Sequence, residues 1–192
     1  MLAYVSDYYL LVTATRPHGV DFKQGNVQLA TLDHAMWFHR PFRVDDWLLY
    51  AIDSELREAF PGLLLRPLLG DVRDRSRMDQ VMAAEQPQIV FHAAAMKHVP
   101  MVEANPLEGV LTNVVGSRNV GEAARAHGAR LVVMISTDKA VDPASVMGAT
   151  KRLAEAICQA LDLVEARHAG AGTRFVTVRF GNVLGSTGSV VP

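Results

Sequence analysis

Three consecutive residues, Thr137, Asp138 and Lys139, put a hydroxyl, a carboxylate and an ammonium directly after the apolar run Leu131 to Ile135. Packing alone does not call for such a trio, whose members can accept, donate and hydrogen-bond a proton. Met147 comes ten residues after Thr137, and Lys151 four residues after Met147. That spacing of four puts positions 147 and 151 on one helix face, so Lys151 can reach back to the loop holding Thr137. Asp71, in Gly70-Asp71-Val72-Arg73-Asp74, offers a carboxylate that could accept a hydrogen bond from an adenine amino group. The same stretch suits a helix N-cap, since Asp74 precedes a helical pattern, and both uses stay open.

Two other stretches end in small or polar residues. Phe91-His92-Ala93-Ala94-Ala95 offers small side chains that allow close backbone approach to a flat or phosphorylated ligand, or equally tight helix packing. Lys97 and His98 follow at the same edge and suit a solvated loop. Arg179-Phe180-Gly181-Asn182-Val183 closes the last apolar run with another small and polar pair. His34 and His39, five apart on a candidate strand, point to opposite faces, so no metal site is expected.

The elements that must position these residues alternate. Leu63 to Leu69, Gln88 to His92, Arg130 to Ser136 and Thr173 to Phe180 read as buried strands. Arg75 to Glu85, Pro106 to His127 and Ser145 to His168 read as helices. Strict alternation implies an α/β domain with a parallel sheet of Rossmann type, because each parallel strand needs a crossover to return to the same edge. Residues 1–54 differ: a short helix over Asp7 to Thr15, then strands over Val27 to His39 and Asp46 to Ile52, as in a piece of an α+β sheet.

Composition marks the same division. Nine of the 13 aromatics fall in residues 1–54, including every Tyr and Trp, whereas 12 of the 14 glycines lie later, so two kinds of protein meet there. Residues 51–192 therefore contain no tyrosine. With 19 basic against 20 acidic residues, the net charge of −1 gives no whole-molecule field for nucleic acid or anionic lipid, and no local basic patch replaces it. Cys158 is the lone cysteine, so no internal disulfide forms. Apolar runs are too short to span a bilayer and there is no signal peptide, which points to a cytoplasmic chain.

From about residue 50 to 192 the chain resembles the nucleotide-sugar dehydratases of the extended short-chain dehydrogenase/reductase family, of the capsular-polysaccharide and flagellin-glycosylation type. The resemblance is carried by Gly70-Asp71-Val72-Arg73-Asp74, His92-Ala93-Ala94-Ala95 with Lys97-His98-Val99-Pro100, and Thr112-Asn113. It continues through Ser136-Thr137-Asp138-Lys139-Ala140, Met147-Gly148-Ala149-Thr150-Lys151 and Arg179-Phe180-Gly181-Asn182-Val183, all in family order. It implies a UDP-N-acetylhexosamine 4,6-dehydratase with NADP or NAD: hydride leaves C4 for the cofactor, the C5 proton and the C6 hydroxyl are eliminated as water, and hydride returns to C6. On this resemblance Thr137 would bond the C4 hydroxyl, Asp138 and Lys139 would transfer protons, and Lys151 would hold the nicotinamide ribose. Asp71 and Val72 would contact adenine; His92, Ala93 and Ala94 would line the cofactor; Lys97 and Asn182 would face cofactor or substrate. A UDP-sugar is the implied partner, and a homo-oligomer stays open.

Two features depart from that pattern. The wider superfamily has a tyrosine acid/base where Met147 stands, and methionine carries no ionisable proton. A subgroup of these dehydratases resembles this chain in having Met there, so Met147 is read as a subgroup marker, with proton transfer left to the Thr137 cluster or water. Second, no Gly-x-Gly-x-x-Gly loop precedes Gly70, although a dinucleotide pyrophosphate needs one at the first helix.

Residues 1–54 resemble the second hot-dog repeat of acyl-CoA thioesterase II, through Leu2-Ala3-Tyr4-Val5-Ser6-Asp7, Pro17-His18-Gly19, Leu29 to Phe42 and Asp46-Trp47-Leu48-Leu49-Tyr50. Asp7 and Thr31 match the residues that position the attacking water there, so thioester hydrolysis is the alternative activity. The run Leu48 to Glu58 suits both families. The expectation is a chimeric or deletion-fused chain, 1–54 and 55–192, in which each enzyme is incomplete and inactive.

Overall fold

The structure, a computed structural model, describes residues 56–62, 64–167 and 172–181. The expected hot-dog segment 1–54 with Asp7 and Thr31, and Asn182 with the glycine-rich run after it, lie outside the described residues. The described residues divide between two units, one holding 56–62 and 64–68, the other everything from Leu69 to Gly181.

In the first unit, residues 56–59 form a helical turn closed by the Phe60 N–H, which donates to the Leu56 carbonyl at 2.8 Å. The expected strand over Leu63 to Leu69 does not form: only Leu65 makes an isolated bridge among its described residues. Pro67 cannot donate to a ladder, and Leu64 and Leu69 are 56% and 55% exposed, so the apolar run is not a buried strand.

The second unit runs α1 (Arg75–Glu85), β1 (Ile89–His92), α2 (Val99–Ala104), α3 (Pro106–Val110), a π-helical segment (Leu111–Gly116) and α4 (Ser117–Ala126). It continues through β2 (Leu131–Thr137), a 3-10 turn (Asp138–Ala140), α5 (Val146–Glu165) and β3 (Arg174–Phe180). The three strands are parallel in the order β1-β2-β3, with Ile89 opposite Leu131 and the β2–β3 register running from Leu131 opposite Arg174 to Thr137 opposite Phe180. Each return to the sheet passes through helix, as parallel pairing requires. The expected α/β alternation is therefore present, and the carboxyl ends of β1 and β2 carry the residues singled out above.

The core explains the pattern. Val90, Val132, Met134 and Phe175 from the sheet pack with Met78 and Met82 of α1, Val120, Ala123 and Ala124 of α4, and Ala154 and Cys158 of α5. Only Phe175 of β3 is buried, at 7% exposed, while its neighbour Val176 is 42% exposed, so this strand is not wholly buried as its apolar run suggested. The helix starts are chemically marked: the Asp74 carboxylate accepts from the Arg77 N–H at 3.0 Å, and the Ser145 hydroxyl accepts from the Gly148 N–H at 3.1 Å. α1 ends at Gln86, which adopts the left-handed conformation.

Three boundaries differ from expectation. The single helix expected over Pro106 to His127 contains the π segment; a Cβ at Gly116 would come within 2.6 Å of a Val72 methyl, so the helix passes Val72 only because residue 116 has none. The helix expected to reach His168 ends at Glu165. Helix α2 falls where no element is expected from the sequence; Pro100 stands in its first turn, where the missing N–H costs nothing.

Candidate functional site

The site is built at the carboxyl end of β2. Thr137 is the last residue of that strand, and its hydroxyl donates to Asp138 Oδ1 at 2.9 Å. The Lys139 ammonium approaches the same oxygen at 3.2 Å, while the Lys139 N–H donates to the Thr137 hydroxyl at 3.4 Å. The hydroxyl, then the ammonium, holds the Asp138 carboxyl below the usual carboxylate range, so it is ionised and exposed. The trio is a hydrogen-bonded unit on a 3-10 turn.

Lys151 reaches this strand end from α5. Its side chain is buried, and its Nζ donates to the Ile135 carbonyl at 2.9 Å. Gly148 makes the approach possible: a Cβ there would sit 2.5 Å from the Lys139 carbonyl oxygen, so the first turn of α5 lies against the turn carrying Asp138 and Lys139. The four-residue spacing thus delivers the Lys151 ammonium to the strand bearing Thr137.

Met147 is 3% exposed and packs with Met96 and Val102, with Val99 and Val146 against them. It belongs to an apolar cluster joining α5 to α2. Met147→Tyr is expected to destabilise the fold by about 2 kcal/mol through overpacking; urea unfolding of the purified chain measures the effect. An unchanged midpoint would show that the cluster has room for the ring.

Beneath the site lies a polar network that spacing did not reveal. Asn113, in the π segment, accepts from the Met96 N–H at 2.7 Å and donates to the Met96 carbonyl at 3.0 Å and to the Thr150 hydroxyl at 2.9 Å. Thr150 in turn donates to the Met147 carbonyl at 2.7 Å. Ser117 donates to the Asn113 carbonyl at 2.6 Å and lies 2.9 Å from His92 Nε2. Because the Ser117 hydrogen is used on Asn113, His92 must be the donor to Ser117, and its buried Nδ1 is left without a hydrogen-bond partner. Burial, and next the Lys151 charge, push the His92 pKa down to about 3, so its imidazole is neutral and serves neither as acid nor as base near neutral pH.

A second unforeseen cluster centres on Glu155, one turn beyond Lys151. Its carboxylate is 1% exposed and accepts from Ser136 Oγ at 2.7 Å, from Arg179 Nε and Nη2 at 2.8 and 2.6 Å, and from Arg152 at 3.2 Å. Arg179 first, and with it Ser136 and Arg152, holds the carboxyl down at about 2 despite burial. The signal was present: Ser136 and Arg179 both belong to quoted motifs, but their partner lies on a third element.

The remaining candidates are dispersed. Asp71 accepts from the Arg73 N–H and guanidinium at 2.9, 2.8 and 2.6 Å, and Arg73 also bonds Glu108 at 2.9 Å. The Val72 side chain is 1% exposed and packed in the core, while its carbonyl accepts from Asn119 at 3.0 Å. Ala94 is buried and Ala93 half-buried after β1, and Lys97 is exposed just before α2. Among the described residues no group of His, Cys, Asp or Glu could hold a metal ion, and no helix is long and apolar enough to cross a membrane.

Residues 40–192 match the family model for polysaccharide biosynthesis proteins. The chain belongs to that family. The probable polysaccharide biosynthesis protein EpsC of Bacillus subtilis is 48% identical over 145 residues, which is 75% of this chain and 23% of that protein. The UDP-N-acetylglucosamine 4,6-dehydratase (inverting) of Campylobacter jejuni is 41% identical over 149 residues, 76% of this chain and 43% of that protein. The chain thus spans less than half the length of either curated relative. Among solved structures, Pen from Bacillus thuringiensis superimposes with a TM-score of 0.67 at 35% identity, over 86% of this chain and 45% of that one. A dTDP-glucose 4,6-dehydratase from Streptomyces venezuelae, solved with NAD, gives 0.66 at 20% identity over 91% and 51%, a likeness of fold to a nicotinamide-binding protein. Residues 1–64 of this polysaccharide biosynthesis family member also match the acyl-CoA thioesterase model, so the two matches overlap at 40–64.

Proposed function

We propose that the second unit supplies the ribose and sugar end of a nucleotide-sugar 4,6-dehydratase site acting on a UDP-N-acetylhexosamine. The observation that carries this reading is the hydrogen-bonded Thr137–Asp138–Lys139 trio at the end of β2, with the Lys151 ammonium delivered to the same strand. The name of the Campylobacter relative supports the substrate class.

The donor set fits one end of a nicotinamide cofactor. Lys151 brings a buried ammonium to the strand end, and Ala93 and Ala94 keep the neighbouring end of β1 small. The pyrophosphate calls for a glycine loop that the residues ahead of Gly70 do not contain, so the residues present would hold the nicotinamide ribose, the sugar and the adenine edge but not the pyrophosphate. When bound, the nicotinamide would take hydride from the sugar and return it. NADP is the cofactor we favour, with NAD the other choice.

The chain's own residues divide the remaining work. Thr137 hydrogen-bonds the sugar C4 hydroxyl, whose proton passes through the Thr137 cluster or water as hydride leaves C4; the ionised Asp138 takes the C5 proton, Lys139 protonates the departing C6 hydroxyl, and as hydride returns to C6 a proton is given back at C5. Lys97 faces cofactor or sugar; the same role for Asn182, which lies outside the described residues, rests on the family resemblance alone. An adenine amino group at Asp71 would compete with Arg73, and a contact at Val72 would use its main chain, because its side chain is in the core. His92 lines the cofactor as a neutral, fixed ring.

Titration of the purified chain with NADPH and with UDP tests this. Binding of either is expected, and Lys151→Met should weaken NADPH about tenfold or more, as loss of a charge-assisted contact does. Failure to bind both ligands would overturn the reading. The alternative reading, supported only by the match of residues 1–64 to the thioesterase model, is hydrolysis of an acyl-CoA using Asp7 and Thr31. Its test is release of free CoA from a medium-chain acyl-CoA, abolished in Asp7→Ala.

A further inference from the structure

The loop after β1, which carries Lys97, is held against the start of α5 by more than the apolar cluster. Glu103, in the last turn of α2, extends its carboxylate across to α5, where Oε1 accepts from the Val146 N–H at 2.6 Å. Val146 is the first residue of α5, and its N–H is one of those that no helical carbonyl can satisfy. The bond is charge-assisted and sits at the positive end of the helix dipole, so it is among the stronger links available to an exposed side chain. Ser145 already caps Gly148, so Glu103 takes up a different orphan donor.

What Glu103 joins is more informative than the cap. Residues Met96 to Ala104 form one stretch between β1 and α3. Its near end is fixed by the Asn113 bonds to both main-chain groups of Met96. Its middle is fixed by Val102, fully buried against Met96 and Met147, and by Gly109, where a Cβ would come within 2.6 Å of a Val102 methyl. Glu103 fixes the far end to the element carrying Met147 and Lys151. Lys97 sits on this stretch with no further anchor of its own to β2 or α5 given by the fold.

We infer that Glu103 is a positioning residue: it clasps the Met96–Ala104 stretch to the first turn of α5 and so sets Lys97 relative to Lys151 and Thr137. The functional half rests on the reading that Lys97 faces cofactor or sugar. The clasp itself does not.

The experiment compares Glu103→Ala, Glu103→Gln and Ser145→Ala in the full chain. Both alanine variants remove one cap from the same helix, so a role in helix capping alone moves them together, whereas a clasp separates them. Amide exchange followed by mass spectrometry is expected to speed up across residues 96–104 in Glu103→Ala and to stay at the native rate there in Ser145→Ala. Affinity for UDP-N-acetylglucosamine or NADPH should fall about tenfold in Glu103→Ala, recover to within about threefold in Glu103→Gln, which keeps an acceptor oxygen, and hold in Ser145→Ala. Native exchange over 96–104 in Glu103→Ala, or equal behaviour of the two alanine variants, would overturn the clasp. If the unaltered chain binds neither ligand, the dehydratase reading fails while the exchange comparison still decides the clasp.

Discussion

Asn113→Ala is expected to cost about 4 kcal/mol of folding stability, read as a lowered urea midpoint near neutral pH with an unchanged slope. Asn113 is 1% exposed and uses its amide in both directions, accepting from the Met96 N–H and donating to the Met96 carbonyl and the Thr150 hydroxyl. Truncation strands the two Met96 main-chain groups away from water, and each orphaned buried group costs ~1–3 kcal/mol. Thr150 suffers less, since its hydroxyl keeps the Met147 carbonyl as acceptor. Thr150→Val therefore serves as the graded comparison, with an expected cost of about 1 kcal/mol. Asn113→Asp tests the donor half: a carboxylate can still accept from Met96 but cannot donate to its carbonyl, so it should not restore stability. A loss below about 1 kcal/mol in Asn113→Ala would mean that water enters and takes over the amide's bonds.

The contrast between Asn113 and Lys151 shows which parts of the site the sequence could disclose. Lys151 was legible because its link to the Thr137 strand follows from two local facts, an apolar run ending in polar residues and a helical repeat of four. The parallel α/β order was legible for a related reason: β1, β2 and β3 are apolar runs separated by helix-length segments, and parallel pairing leaves few other topologies. Asn113 stood in a quoted motif with no role, because its partners are 17 and 37 residues away and two of its bonds go to main chain, which has no sequence signature. Glu155 was hidden in the same way, sharing a carboxylate among residues on β2, α5 and β3. The strand expected at Leu63 to Leu69 failed for the opposite reason. Its apolar composition was read without weighing Pro67, which removes a ladder donor in the middle of the run.

The pH dependence of stability is expected to carry the signature of Glu155. Near neutral pH, Glu155→Ala should cost about 3 kcal/mol, since it deletes charge-assisted bonds, leaves the buried Ser136 hydroxyl without its acceptor and opens a cavity. Arg152 and Arg179 are 51% and 39% exposed in their side chains and can be rehydrated, which keeps the loss from growing larger. Glu155→Gln separates charge from shape, because it fills the same space and cannot ionise. The sign follows from linkage. Arg179 and its neighbours hold the folded carboxyl at about 2, below the ordinary 4.5 it regains on unfolding, so the unfolded chain takes up the proton first. The contribution of the Glu155 charge is complete above about 4.5 and is lost as pH falls through about 2. Urea midpoints of the unaltered chain and of Glu155→Gln should therefore differ most near neutral pH and converge across that window. Parallel curves would show that the charge contributes nothing and that the cluster acts through packing alone. Ser136 directly precedes Thr137 and pairs in register with Arg179 of β3, so the Glu155 carboxylate ties the carboxyl-terminal parts of two neighbouring strands together.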